Sequence, residues 1–263
     1  MFADLVAFLN TLPPSLLLVV EMALCYSSLL LMLRFFGANG LYAYIGIAVI
    51  AANTQVMKAV QFPFYSDAVP LGTIVYASIY LATDILNEWY GRAAAQKAVF
   101  LGFAGYLIFT VFIVLALGYS PLTPEQAGEG MAWNLPNHDH LMAIFLPAPA
   151  ILIASMAAYL ISQTNDVYMY AWLRKKTAGK QLWLRNNASS LVSNFIDNAV
   201  FSIIAWNILS PNPVTWDAMF YTYILGTYLL RVVISMCDTP FLYLAGRCRP
   251  QAEGVKGAAA IPA

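Results

Sequence analysis

Acidic and amide side chains stand inside stretches otherwise built from Leu, Ile, Val, Ala and Phe, at spacings that could hold a polar solute. Asp84 and Glu88 are four residues apart with Asn87 between them, and Asn194 and Asn198 are four apart with Asp197 between them. Residues three and four apart share one face of a helix, so each set projects as a unit. Gln163, Arg231 and Asp238 interrupt further apolar stretches, as do Glu21 and the run Asn53, Thr54 and Gln55. A carboxylate accepts hydrogen bonds, an arginine donates them and an amide does both, so together they can hold a polar solute. In hydrocarbon each ionisable group is costly unless paired or wetted, which makes each a candidate for function. The structural alternative is that Asp197 and Arg231 pair at mid-depth and pin a bundle while the amides bond between helices. For the whole set, a cavity for a polar solute is the more economical account.

The elements that carry these residues follow from composition. Of 263 residues, 61% are hydrophobic, 14% aromatic and only 10% charged, whereas a soluble domain carries about 25% charge and 45–50% apolar residues. Disorder, a coiled coil and an ordinary soluble enzyme are excluded. Thirteen basic and thirteen acidic residues cancel, so no basic field is available for nucleic acid. The partner implied is a lipid bilayer. A helix needs about 20 residues to cross a hydrocarbon core of roughly 30 Å. Seven segments qualify: 15–36, 40–60, 68–89, 95–118, 141–163, 189–209 and 217–245. The expected fold is an all-α integral membrane protein, a polytopic bundle of about seven transmembrane helices. It forms one domain over 1–250, followed by a disordered cytoplasmic tail over 251–263.

Basic residues set the expected orientation. With the N-terminus outside, the inner side receives Arg34, Arg92, Lys97, Arg174, Lys175, Lys176, Lys180, Arg185, Arg247, Arg249 and Lys256, leaving Lys58 outside and Arg231 within a span. By the positive-inside rule the C-terminus is cytoplasmic. The outer connection from Tyr119 to His140 is acidic, rich in Pro and Gly, and holds His138 and His140. A histidine pair without further ligands nearby reads as a solvated loop rather than a metal site. The inner connection, Asn165 to Arg185, is basic and aromatic and suits an interfacial helix against anionic headgroups. Cys25, Cys237 and Cys248 lack metal-site or disulfide spacing and read as packing residues. Ala150, Ala154 and Ala158 form a small-residue ridge on the fifth span, suited to close helix packing or to docking another subunit, so a homo-oligomer stays open. Pro147, Pro149 and Pro240 would disturb their helices. No amino-terminal cleavage signal is visible in Met1 to Asn10.

The stretch LATDILNEWYGRAAAQKAV, Leu81 to Val99, resembles the signature of the queuosine precursor transporter family, also described as the vitamin uptake transporter family. The stretch from Ile153 to Trp206, including SQTNDVYMYAWLRKK and LVSNFIDNAVFSIIAW, resembles the second signature at matching order and spacing, and MCDTPFLYL, Met236 to Leu244, its C-terminal motif. The resemblance covers residues 40–245, and the first span looks like the extra N-terminal helix of the longer members, giving a six-helix core plus one. Many members carry a glutamine three residues before the aspartate of the sixth span and a threonine after it; here these are Asn194 and Asn198. The resemblance implies uptake of 7-deazaguanine bases, namely 7-cyano-7-deazaguanine, 7-aminomethyl-7-deazaguanine or queuine, across a bacterial cytoplasmic membrane for tRNA queuosine. Such a base presents N–H donors along one edge and a carbonyl acceptor beside them. Asp84, Asp197 and Asn194 are the first candidates for contact, with Asn87, Glu88, Gln163, Asn198 and Arg231 beside them; Tyr80, Trp89 and Tyr243 are candidate stacking faces.

Three other functions compete. A substrate-binding subunit of an energy-coupling-factor system would need ATP hydrolysis by a partner, because this chain has no GxxxxGK[ST] loop. An intramembrane enzyme would need Asp84 and Asp197 as an acid/base pair, since HExxH and GxSxG are absent. A purely structural bundle predicts that substitutions alter stability alone. No cofactor is expected. Glu21, Asp84 or Asp197 could couple protons to transport by titrating on exposure to water.

Overall fold

A computed structural model describes residues 1–63, 68–146 and 149–250. A short helix, α1 (Phe2–Leu9), precedes α2 (Pro14–Gln55), which runs for 42 residues. At 1.5 Å per residue a straight helix of that length would be about 63 Å long, twice a bilayer's apolar core. It breaks at Gly37, whose φ of 57° and ψ of −139° are non-helical and fall where a side chain would be strained. The two arms correspond to the first two expected spans, and the second ends at Gln55 rather than near residue 60.

The chain then turns back through a two-stranded antiparallel hairpin, β1 (Ala59–Gln61) and β2 (Ala68–Pro70), with Val60 opposite Val69. This small sheet was not expected. Gly72 follows with φ of +89°, and a Cβ there would stand 2.4 Å from the Ala52 carbonyl oxygen, so the hairpin is closed down onto the end of α2. Helix α3 (Thr73–Tyr90) starts after it, and α4 (Arg92–Leu117) follows across Gly91. The expected loop between Tyr119 and His140 contains α5 (Pro124–Met131), a 3₁₀ turn (Ala132–Asn134) and α6 (Asn137–Phe145). Thr123 and Gln126 form a reciprocal capping box at the start of α5, the T-x-x-Q signature of a helix start.

Helix α7 (Pro149–Lys176) and α8 (Leu182–Ile203) form the most extensively packed helix pair. Most of the stretch expected as an inner connection is therefore helix, and only about one turn of chain separates the two. Helix α8 continues through a π-helical segment (Ile204–Ile208); α9 (Trp216–Ala218) runs through a second (Met219–Gly226) into α10 (Thr227–Cys248).

The chain is an all-α membrane protein apart from the hairpin. Among the described residues four helices are long and apolar enough to cross a bilayer: Pro14–Gln55, Arg92–Leu117, Leu182–Ile208 and Trp216–Cys248. Helix α4 shows how lipid is faced. It buries Ala95, Ala98, Val99, Gly102 and Tyr106 on one stripe and exposes Phe100, Leu107, Val111, Phe112 and Leu115 on the rest. Helix α3 does the opposite. It is packed by α2, α4, α7, α8 and α10, and an unbroken run from Ile79 to Asn87 is buried. Its polar residues are thus shielded from lipid by protein, which is why low hydropathy and a central position go together. Pro240 sits inside α10 without ending it. Of the alanine ridge, Ala154 and Ala158 are buried. Cys237 is exposed and does not pack in the core, while Cys25 and Cys248 are half-buried. Pro147 and the tail over 251–263 lie outside the described residues.

Candidate functional site

A cavity of about 290 Å³ opens at the end of the bundle where α2 finishes and α3 and α7 begin. Its floor is an ion pair. Arg231 Nη1 of α10 meets Asp197 Oδ2 of α8 at 2.5 Å, and Asp197 Oδ1 accepts from the Tyr76 hydroxyl at 2.7 Å and the Ser162 hydroxyl at 3.0 Å. Asp197 is thereby held from α3, α7 and α10 at once. The Arg231 guanidinium also lies over the Tyr76 ring, 5.5 Å from its centroid, a favourable cation–π position.

Next to Asp197 along α8, the Asn198 amide donates to Thr227 Oγ1 at 3.0 Å and to the Ile224 carbonyl at 3.3 Å. That carbonyl belongs to the π-helical entry to α10, where the wider winding departs from the regular ladder. Trp206 and Tyr223 form an aromatic wall with ring centroids 5.5 Å apart. On the opposite side Ser155 donates to Asn53 Oδ1 at 2.6 Å, and both line the cavity.

Below the floor lies a sealed polar layer. Asn194 donates to Ser235 at 3.0 Å, Thr83 to Gln163 Oε1 at 3.4 Å, and Asn87 to the Val167 carbonyl at 2.8 Å. Asp84 of α3 and Asp166 of α7 are neighbours, both buried. Asp238 of α10 is buried too and accepts from Asn186 of α8 at 2.7 Å. Ser189, Ser190 and Ser193 complete the layer from α8.

The far end is closed by a second ion cluster. Arg185 grips Glu88 with two nitrogens, Nη2 to Oε1 at 2.7 Å and Nε to Oε2 at 3.0 Å, a bidentate geometry among the strongest available to side chains. Tyr170 donates to Glu88 at 3.0 Å, and Arg174 stands 3.7 Å from it. Arg185 Nη1 also donates to the Gly179 and Lys180 carbonyls, tying the α7–α8 turn down over the bundle.

The eight residues singled out from the sequence therefore occupy three tiers. Asp197, Asn198 and Arg231 line the cavity; Asp84, Asn87, Gln163 and Asn194 belong to the sealed layer; Glu88 belongs to the far ion cluster. The aromatic candidates lie away from this cavity. Tyr80 is buried beneath the floor, edge-on to Tyr76 at 5.6 Å, Trp89 packs near Gly246, and Tyr243 is exposed. None of the three lines the cavity; Tyr76, Trp206 and Tyr223 do. Arg185, counted as a loop cation, is 1% exposed inside α8. Asp166, placed in the inner connection, is a buried helical residue. Among the described residues no three His, Cys, Asp or Glu side chains gather as a metal's ligand set.

Comparisons with known proteins place the chain in a family by its sequence. No solved structure matches the chain. A curated protein of Bacillus subtilis (strain 168), "Probable queuosine precursor transporter", is 34% identical over 225 residues, spanning 85% of this chain and 91% of its own length. A second protein of that name, from Haemophilus influenzae, is 28% identical over 169 residues, 64% of each chain. Residues 70–245, which contain all eight of the site residues placed above and the whole of α3 to α8, match the family model described as "Putative vitamin uptake transporter". On that match, and on the similarity to the B. subtilis protein, this chain belongs to the vitamin uptake transporter family.

Proposed function

We propose that this protein imports queuosine precursors, the 7-deazaguanine bases, across a bacterial cytoplasmic membrane, as a transporter rather than an enzyme. The names of the two relatives support the substrate class. The observation that carries the reading here is the cavity with Asp197 and Arg231 at its floor, Asn198 at its side and Trp206 and Tyr223 on its wall. Its volume, about 290 Å³, lies just under the ~300–1,000 Å³ usual for small-molecule sites and suits a single flat base.

The chemistry is an exchange of partners. Asp197 Oδ1 already holds two hydroxyl donors, so the N–H edge of a guanine-like ring can replace them with little net cost. Arg231 contacts Asp197 through Nη1, and the guanidinium fork has further N–H groups to offer the ring carbonyl. The indole of Trp206 supplies a face for stacking.

Charge placement supports the direction. Arg174, Lys175, Lys176, Lys180 and Arg185 stand at the closed end, and only Lys58 falls in the segment joining α2 to α3 at the open end. With basic residues inside, the cavity opens outward and the Glu88–Arg185 cluster closes the cytoplasmic end. This is the form that captures solute from outside.

The test is binding of radiolabelled 7-cyano- and 7-aminomethyl-7-deazaguanine to detergent-purified protein, with guanine as competitor. Saturable binding lost in a folded Asp197→Asn variant is expected. A folded wild-type chain that binds neither base overturns the proposal.

A further inference from the structure

The buried carboxylates are not evenly provided with cations. Among the described residues Asp197 pairs with Arg231, and Glu88 with Arg185 and Arg174. Asp84, Asp166 and Asp238 have no such pair, yet each is at most 1% exposed. Both oxygens of Asp84 and Oδ2 of Asp238 lack a hydrogen-bond partner, as do Asn186 Oδ1 and the Ser190 hydroxyl, and Asp166 has the Ser189 and Ser193 hydroxyls beside it. Asn186 is itself fully buried and is fixed onto Asp238 through its amide nitrogen. The layer thus holds three carboxylates with no cation beside them, and although the Ser190 hydroxyl and Gln163 Nε2 are donors without partners, what the acids lack is a positive charge or a proton.

A metal ion would need several oxygens converging on one point, and no three acidic groups among the described residues do so. A proton needs only two. Asp84 and Asp166 face each other across the α3–α7 contact. Two adjacent buried carboxylates cannot both be ionised without a large repulsion, and one proton converts one of them into an O–H donor for the other. The Tyr80 hydroxyl, fully buried and beside Ser162, stands within electrostatic reach of both Asp166 below and Asp197 above.

We propose that Asp84 and Asp166 share a transported proton, so that this chain is a proton-coupled symporter whose proton site lies directly beneath the substrate cavity. This deepens the transporter reading and rests on it. One proton leaves outside water, forms an O–H bond on a carboxylate of the pair, and is released to inside water when the bundle opens at the other end; no other bond changes. Tyr80 links the two sites. The groups facing the pair are Glu88 on α3, Tyr170 on α7, Asn186, Ser189 and Ser193 on α8 and Asp238 on α10. Of these Glu88 is already paired with Arg185, and Asp238 is a third buried carboxylate without a cation.

The experiment uses liposomes containing the full chain and radiolabelled 7-cyano-7-deazaguanine, which is uncharged. Acid outside should drive accumulation above the external concentration, with a ceiling of about tenfold per pH unit for one proton per base, and a protonophore should abolish it. Asp166→Asn should still bind the base and exchange internal for external label, while losing the response to the pH gradient; Asp84→Asn should lose that response too. Accumulation indifferent to the pH gradient, accumulation driven instead by a sodium gradient, or a pH response intact in Asp166→Asn overturns the proposal. Those results leave binding and exchange in place and so leave the transporter reading standing. Absence of both in the folded wild-type chain overturns the two together.

Discussion

Replacing Asp197 with asparagine removes one charge from the cavity floor while preserving its shape. The carbonyl of the amide can keep the Tyr76 and Ser162 hydroxyls, which stand at 2.7 and 3.0 Å from Oδ1. The amide nitrogen then meets Arg231 Nη1, where the carboxylate oxygen now lies at 2.5 Å; two donors face each other and the contact opens. Breaking a sealed ion pair costs ~3–5 kcal/mol, but the Arg231 side chain is 19% exposed and lines the cavity, so water can hydrate it and the folding cost falls below that range. Binding loses more. The base's N–H edge exchanges a charged acceptor for a neutral one, and a hydrogen bond to a charged group is worth ~1.5–3 kcal/mol, which is about 10- to 150-fold in Kd. Equilibrium binding to protein that elutes as one species and keeps its helical spectrum measures this directly. A folded variant within about threefold of wild type would refute the placement of the base on Asp197.

Three further substitutions test the cavity wall, the far ion cluster and the packing of α4. Trp206→Ala removes an aromatic face and should weaken binding about 3- to 10-fold with little change in melting temperature; equal binding would move the base off that wall. Arg185→Met leaves Glu88 without its bidentate partner and should cost ~3–5 kcal/mol of stability in detergent, much of it recovered when Glu88→Leu is added; thermal melts of the single and double variants check this. Gly102→Ala would place a Cβ 2.4 Å from the Tyr159 hydroxyl and 3.0 Å from Ile45, so either the hydroxyl leaves the Val99 carbonyl or α4 moves out, with a loss of ~1–3 kcal/mol. An unchanged melting temperature would contradict the close packing there.

The polar residues of α3 and α8 were legible because their spacing is helical and their chemistry is costly in lipid. Asp84, Asn87, Asn194, Asp197 and Asn198 are all buried, and the contemplated Asp197–Arg231 pair is present. What escaped was the difference between a polar layer inside the bundle and an exit from the membrane. Hydropathy falls at Gln163, Asn165 and Asp166 just as it would at a helix end, so Asp166 was read as loop while α7 runs on to Lys176. Arg185 was counted by its charge, although its guanidinium is spent on Glu88 and two carbonyls. The aromatic wall was hidden for another reason: Trp206 and Tyr223 meet only through tertiary packing of two π-helical segments, and no local periodicity announces that contact. The capping box at Thr123 and Gln126 was a readable signal inside a segment taken as loop.

Transport by the chain alone is the measurement closest to the central claim. Liposomes containing only this protein, preloaded with unlabelled 7-cyano-7-deazaguanine, should take up external label in exchange, saturably and with loss of uptake in Asp197→Asn. Folded protein that binds the base but exchanges none across the membrane would contradict it, and would leave a binding subunit awaiting an ATP-driven partner.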